Sequence, residues 1–341
     1  MTTILLVSNL PEVKRIVIRS VSVTHHSTAQ FLPGSTISNR YLVEGVLGAG
    51  AFGTVYEVYD IETSSDAAIK VLNEHLHTQD RARKMMLREG KILQKLEHPN
   101  VVKCYGAWEE EDGAIYIVTE LLRGETLASY FKKQKELDPV FVLTVAEQLA
   151  DALAHLHERG VVHRDIKPEN IFIEQRLGRA WPVIVDFGLS FVEGSKTLGM
   201  LPLNERGVTG TPLYMSPEQI TNQDLCTATD IYSLGSVLYE MLTGKAPYEE
   251  PGLSVVETMK RKIVADPEAF FVDWDEGALD TLVAWMLARY PEERVVAPAV
   301  AEVLRAHDLH PAKHSPYGWH TTRATPVGRL DAVGRLSFRA S

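Results

Sequence analysis

Cysteine is nearly absent. Two residues in 341, Cys104 and Cys226, make no disulfide framework and lack metal-ligand spacing, which predicts a reducing compartment. Long apolar runs are missing too. The longest early one, Ile4-Leu5-Leu6-Val7, is too short for a signal-peptide core, and no later stretch approaches the ~18 uncharged apolar residues of a bilayer span. The expectation is a cytoplasmic chain without a membrane span of its own. There is no basic excess: 35 Lys and Arg face 45 Asp and Glu, a formal net charge of -10. That argues against a nucleic-acid binder resting on a broad basic surface. No internal repeat of about 20–50 residues is visible. What remains, 45% hydrophobic and 23% charged, is a globular chain with room for one large or two ordinary domains.

Residues 1–40 stand apart. Val13 to Val23 alternates in part, apolar at Ile16, Ile18, Val21 and Val23, and reads as a strand or an extended docking segment. His25-His26 and Pro33-Gly34-Ser35 read as loop, the histidines as solvated rather than metal-bound. From Tyr41 the texture changes. Strand-like runs cover 41–47, 54–59, 67–72, 101–105 and 114–120, with a helical pattern over 80–97 stopped by His98-Pro99-Asn100. Beyond Leu122 helices dominate, over 140–159, 231–243, 275–290 and 298–306. The helix over 231–243 is apolar on nearly every side and so central.

Two short segments carry chemistry. His163-Arg164-Asp165-Ile166-Lys167-Pro168-Glu169-Asn170 places a carboxylate, an ammonium and an amide at fixed offsets, and Asp186-Phe187-Gly188 follows. Phosphoryl transfer needs such a set: Asp165 to accept a hydroxyl proton, Lys167 beside the transferred phosphate, and oxygens of Asn170 and Asp186 for a divalent cation. Upstream, Gly48-Ala49-Gly50-Ala51-Phe52-Gly53-Thr54-Val55 lies between two strands. Glycines there let backbone N–H groups approach phosphates, and the strand that follows speaks against a dinucleotide-binding turn. A glycine-rich turn without a ligand is the competing reading of that motif alone. Lys70 ends a strand and Glu89 lies in the next helix, so the two can pair and hold the ammonium against phosphates.

In this order, these elements make residues 41 to about 306 resemble a protein kinase catalytic domain. The resemblance implies an α+β, two-lobed fold. A small N-terminal antiparallel β-sheet lobe (41–122) carries one regulatory helix, and a larger, mainly α-helical lobe (123–306) follows. Residues 1–40 are an extension of unassigned role and 307–341 a flexible tail. The tail holds Lys313, Arg323, Arg329, Arg335 and Arg339 against Asp308 and Asp331, and repeats Val-Gly-Arg-Leu at 327–330 and 333–336. The implied catalytic residues are Asp165, Lys167, Lys70 and Glu89. The implied cofactors are ATP and Mg²⁺, with Mn²⁺ as an alternative, the metal on Asn170 and Asp186. ATP would lie against Leu47, Gly48, Ala49, Gly50, Ala51, Phe52, Gly53, Thr54, Val55, Ala68 and Lys70. Thr119 would be the gatekeeper, Glu120 to Leu122 the hinge, and Phe172 the floor under the base.

Gly210-Thr211-Pro212-Leu213-Tyr214-Met215-Ser216-Pro217-Glu218 resembles the substrate-docking segment, with Ser216 where Ala is usual. Asp230 matches the buried carboxylate that ties down the catalytic loop, and Arg294 the partner of Glu218. Leu93, Cys104, His163 and Phe187 would form the regulatory stack, Cys104 replacing a larger Leu. Lys167-Pro168-Glu169 and Thr211 resemble Ser/Thr kinases; Met215 to Gln219 and Asp230 to Gly235 look most like bacterial members.

The implied partners are protein substrates bearing Ser or Thr, with self-association for autophosphorylation. The stretch from Asp186 to Glu218 carries Ser190, Ser195, Thr197, Thr209 and Thr211, and Thr209 or Thr197 is the expected phosphosite. Phe191 and Gly207 replace the basic residue and phosphosite usual in the family. The segment between Asn170 and Asp186 is slightly long and reads as a hairpin. A scaffold lacking activity would need Lys70, Asp165 or Asp186 missing, and none is. Small-molecule phosphotransferases of the same fold usually lack the glycine loop and the docking segment.

Overall fold

The computed structural model describes residues 30–110, 113–134, 136–192, 213–250, 252–264 and 278–306, with four short strands of the tail. The expected strand at 13–23, the histidine pair 25–26, and Ser195, Thr197, Gly207, Thr209 and Thr211 lie outside the described residues.

The small lobe is an antiparallel sheet of β1 (Thr36–Ile37), β2 (Tyr41–Ala49), β3 (Gly53–Asp60), β4 (Ser65–Leu72), β5 (Cys104–Glu109) and β6 (Ile115–Glu120), ordered β1-β2-β3-β4-β6-β5. It begins before Tyr41. Ile37 is buried beside Tyr41, Val43, Tyr56 and Val58, so residues 36–37 belong to the lobe rather than to the extension. Strand alternation divides β4: Ile69 and Val71 enter this outer core, while Ala68 and Lys70 share the other face, opposite Thr119 and Ile117 of β6. The pairing expected from Val101 starts later, at Cys104. Val101 instead makes a parallel bridge to Ile184 of the large lobe.

Helix α1 (Asp80–Leu93) packs on the sheet through Ala82, Met86, Ile92 and Leu93. It stops short of 97 because Lys95 and Leu96 bond Ile92 and Leu93 as a tightened 3₁₀-type turn. Gly90 permits the close packing: a Cβ there would fall 2.2 Å from the Ala107 Cβ. A larger residue would push α1, and with it Glu89, off the sheet.

The large lobe contains α2 (Leu127–Lys133), α3 (Pro139–Glu158), α4 (Pro217–Ile220), α5 (Thr227–Thr243), α6 (Val255–Val264), α7 (Ala278–Met286) and α8 (Ala297–Arg305). Asp138 caps α3 by accepting from Val140 N (2.7 Å), Pro139 opens it, and Gly160 (φ +65°) follows its end. By length and composition alone α3 could cross a membrane. Here it packs against α5 and α8, with Leu149, Leu153 and Leu156 fully buried beside Leu234, Val237 and Val300. Burying each such side chain contributes about 1.5–3 kcal/mol.

Between the lobes, β7 (Gly124–Thr126), β9 (Ile171–Arg176) and β10 (Arg179–Ile184) form a second sheet ordered β10-β9-β7. The expected hairpin is β9–β10, turning at Leu177-Gly178 with both residues at positive φ, the backbone of a two-residue primed turn. Trp181 donates its indole N–H to Pro99 O at 3.0 Å and Asn100 donates to Pro182 O at 2.7 Å, so the hairpin anchors the small lobe. Two-residue strands β8 (Val161–Val162) and β11 (Phe191–Val192) pair antiparallel beside the catalytic loop. The tail, expected to be flexible, contributes two antiparallel ladders: β12 (Leu309–Pro311) with β13 (Trp319–Thr321), and β14 (Gly328–Leu330) with β15 (Leu336–Phe338).

Candidate active site

The cleft between the lobes gathers residues from both lobes. Lys70, near the end of β4, donates to Glu89 of α1 at 2.8 and 2.9 Å, and to Asp186 of the large lobe at 3.0 Å. One ammonium therefore joins both lobes. Burial disfavours its charge, but the carboxylates of Asp186 and Glu89 more than offset this and hold the pKa above the ordinary lysine value. The Lys70 ammonium in turn holds Asp186 down at about 2, while burial pushes Glu89 up. Asp186 sits at φ +60°, a costly conformation for a side-chain-bearing residue, and its exposed carboxylate opens to the cleft.

The catalytic loop is held from below. Asp230 of α5, fully buried, accepts from His163 N (2.9 Å) and Arg164 N (2.7 Å), with His157 Nε2 3.0 Å away. Arg164 is left-handed at φ +68°, and its guanidinium lies 4.3 Å from the centre of the Phe191 ring. Where a second basic residue is usual, Phe191 therefore gives Arg164 a cation–π surface. Asp165 follows in the loop. Lys167 Nζ (2.7 Å) and Asn170 Nδ2 (2.8 Å) both donate to its Oδ2, which fixes the carboxylate within the loop. Asn170 also donates to Asp165 O at 2.9 Å.

With its Nδ2 committed to Asp165, Asn170 presents only its amide oxygen to a cation. Asp186 adds carboxylate oxygen. Hard oxygen donors from few residues suit a divalent cation completed by phosphates.

The glycine loop joins β2 to β3. Gly50 N donates to Gly53 O at 2.9 Å, and Gly48 and Ala49 pair with Val55 and Thr54. Gly53 has no room for a side chain: a Cβ would lie 2.5 Å from Val71 O. Ala51 is exposed at the tip, Leu47 is half-exposed, and Phe52 packs inward on the main core. Asn73, which the sequence reading missed, brackets the tip. Its Nδ2 donates to Gly50 O (2.9 Å) and Ala51 O (3.2 Å), and its Oδ1 accepts from Thr54 Oγ1 (3.2 Å).

Toward the hinge, Ala68 pairs with Thr119, and Glu120 exchanges hydrogen bonds with the backbone of Lys103. Leu122 packs on the main core, and Phe172, half-buried, sits in β9 opposite Val183. In the expected stack, Leu93, His163 and Phe187 are buried, His163 meeting Phe187 edge-on at 4.6 Å. Cys104 packs against the same core, its Sγ 3.6 Å from Gly106 O.

Glu218 and Arg294 form the expected pair at 2.6 and 2.8 Å, with side chains 1% and 0% exposed. The remaining Arg294 donors reach Ala288 O, Ala228 O and Arg289 O, so the buried guanidinium is fully satisfied. The sequence reading also missed Lys262 of α6. It is fully buried, donates to Leu213 O and to Met215 O (3.1 Å), and lies 5.2 Å from the Tyr232 ring. Burial lowers its pKa to about 7. It supports the docking segment through backbone carbonyls, which leave no signature in sequence.

Comparison with known proteins places the chain. The family model described as "Protein kinase domain" matches residues 41–306. The serine/threonine-protein kinase PkaA of Streptomyces coelicolor is 33% identical over 311 residues, 88% of this chain and 54% of that protein. Pkn3 of Myxococcus xanthus, a serine/threonine-protein kinase, is 31% identical over 278 residues, 80% of this chain and 50% of its own length. PrkC of Bacillus subtilis, also a serine/threonine-protein kinase, is 36% identical over 235 residues, covering 69% and 35%. The chain thus spans about half the length, or less, of these relatives. It belongs to the protein kinase family, among the bacterial eukaryotic-like serine/threonine kinases.

Proposed function

We propose that this domain transfers the γ-phosphate of ATP to Ser or Thr hydroxyls of protein substrates. Family membership implies ATP and a divalent cation; Mg²⁺ is the ion proposed, with Mn²⁺ as its substitute. The observation that carries the reading is the Lys70 ammonium bonded at once to Glu89 and Asp186, with Asp165, Lys167 and Asn170 bonded to one another in the same cleft.

Glu89 and Asp186 aim Lys70 at the phosphates, and the backbone N–H groups of residues 48–53 cover them. Asp165 orients the acceptor hydroxyl and takes its proton; Lys167 offsets charge gathering on the transferred group. Bound at Asn170 and Asp186, the cation would neutralise phosphate charge. Leu47, Val55, Ala68, Thr119 and Phe172 would enclose the base, and the Glu120–Leu122 backbone would hydrogen-bond to it. Site of action is proposed as the cytoplasm, with self-association for autophosphorylation at Thr197 or Thr209.

Incubation of purified protein with radiolabelled ATP and Mg²⁺, with a generic basic protein, an aminoglycoside and choline offered in parallel as acceptors, tests the reading. Label on Ser or Thr of either polypeptide is expected. Label only on aminoglycoside or choline, or none, overturns it.

A further inference from the structure

The backbone of His163 and Arg164 immediately precedes the proposed base Asp165, and side chains satisfy all of its polar groups. Asp230 takes both N–H groups. Ser190 Oγ donates to His163 O at 3.3 Å. Gln219 Nε2 donates to Arg164 O at 2.8 Å. Gln219 is 3% exposed and Arg164 7%, so solvent offers no substitute donor. The amide's orientation is dictated: its oxygen is needed by Ser216 N (3.1 Å), which leaves only the NH₂ for the carbonyl.

The positions of the two carbonyl donors matter. Ser190 stands four residues after Asp186, and Gln219 directly follows Glu218. The two ends of the 186–218 segment thus grip one peptide stretch of the catalytic loop. Arg164 needs that grip, because its φ of +68° is unfavourable for a residue with a side chain and persists only where surroundings impose it. Gln219 is itself fixed by the capping box it forms with Ser216 at the start of α4. Ser190, one of the hydroxyls considered for phosphorylation, is 4% exposed and committed to this contact.

We propose that Gln219 is a positioning residue: its amide holds the Arg164 peptide, and so the Asp165 carboxylate, in register with the docking segment. The inference rests on the kinase reading above. It assigns Gln219 no contact with ATP or with the reacting atoms. Loss of the amide leaves a buried carbonyl unsatisfied and frees the left-handed peptide to relax. Small misplacements of a catalytic group cost turnover steeply.

The test uses the full chain with Gln219→Met and Gln219→Glu, reading phosphorylation of a generic basic protein, KM for ATP and thermal melting. Gln219→Met preserves length but not the donor. Turnover is expected to fall about 10–100-fold, the scale of a misplaced group, with KM for ATP within about twofold of wild type. Gln219→Glu supplies the donor only while its carboxyl is protonated, and burial favours that form. Its turnover relative to wild type is expected to be high at low pH and to fall as pH rises and the carboxyl ionises against Arg164 O. A purely structural role would lower the melting temperature without this pH signature. The inference is overturned if wild type labels the acceptor and folded Gln219→Met turns over as fast as wild type. If Gln219→Met does not fold, a Gln219→Glu pH profile parallel to that of wild type overturns it instead. Wild type that labels no polypeptide would sink the kinase reading itself, a distinct result.

Discussion

The glycine loop and the catalytic loop, proposed to serve the same phosphates, are built in opposite ways. Leu47 to Ala51 are exposed, and a single side chain, Asn73, brackets the tip. The catalytic loop lies on the main core, with His163 fully buried, two residues bonded at every backbone polar group, and a carboxylate beneath. The difference teaches where precision is needed. A loop that covers phosphates through backbone N–H groups can adjust to its ligand. A base that must meet one hydroxyl, the role proposed for Asp165, cannot, and Asp230, Ser190 and Gln219 bond the two residues before it.

The comparison can be broken most sharply at Asp165. Asp165→Ala should reduce turnover about 10²–10⁴-fold, the usual worth of a positioned base. Near-normal turnover in steady-state assays would remove the reason for so rigid a loop. Next comes the buried frame. Arg294→Ala strands the Glu218 carboxylate, and one-sided loss of such a pair costs about 3–5 kcal/mol, to be read by chemical denaturation. Denaturation at the wild-type midpoint would show that the large lobe does not depend on this pair.

A third test concerns the polar groups beside the docking segment. Burial pushes Glu240 up to about 7 even though Tyr214 donates to it at 2.5 Å; Glu249 and Glu169 add like charge. A folded-state pKa above the ordinary 4.5 means stability that is complete below 4.5 and lost as pH rises through about 7. Glu240→Gln should remove that decline in melting temperature, and an unchanged pH profile would refute the assignment. The smallest effect belongs to the glycine loop. Asn73→Ala should raise KM for ATP several-fold, in line with losing hydrogen bonds worth about 1 kcal/mol, with little change in turnover. A collapse in turnover would mean that this loop, too, is rigidly specified.

Much of the site was legible because its chemistry is written in short motifs. Asp165, Lys167 and Asn170 sit within six positions, and their mutual bonds follow from that closeness. Lys70 and Glu89 come from neighbouring elements with clear strand and helix patterns. Less legible were groups whose partners lie far away or are backbone. Nothing around Lys262 announces the carbonyls of Leu213 and Met215, and Asn73 reads as an ordinary polar residue after a strand. Two signals were present and unused. Ser216-Pro217-Glu218-Gln219 has capping-box spacing, and so does Ser254-x-x-Glu257, which starts the unanticipated helix α6. Strand β1, two residues long, is too short for any periodicity to show.

The central claim is that the cleft moves phosphate from ATP to hydroxyl oxygen through Asp165. Mass spectrometry of wild type and Asp165→Ala after incubation with Mg·ATP tests it most directly. Phosphate on Ser or Thr in wild type, and about 100-fold less or lower still in the variant at equal incubation times, is the predicted result. No phosphate in wild type, or equal phosphate in both, would contradict it.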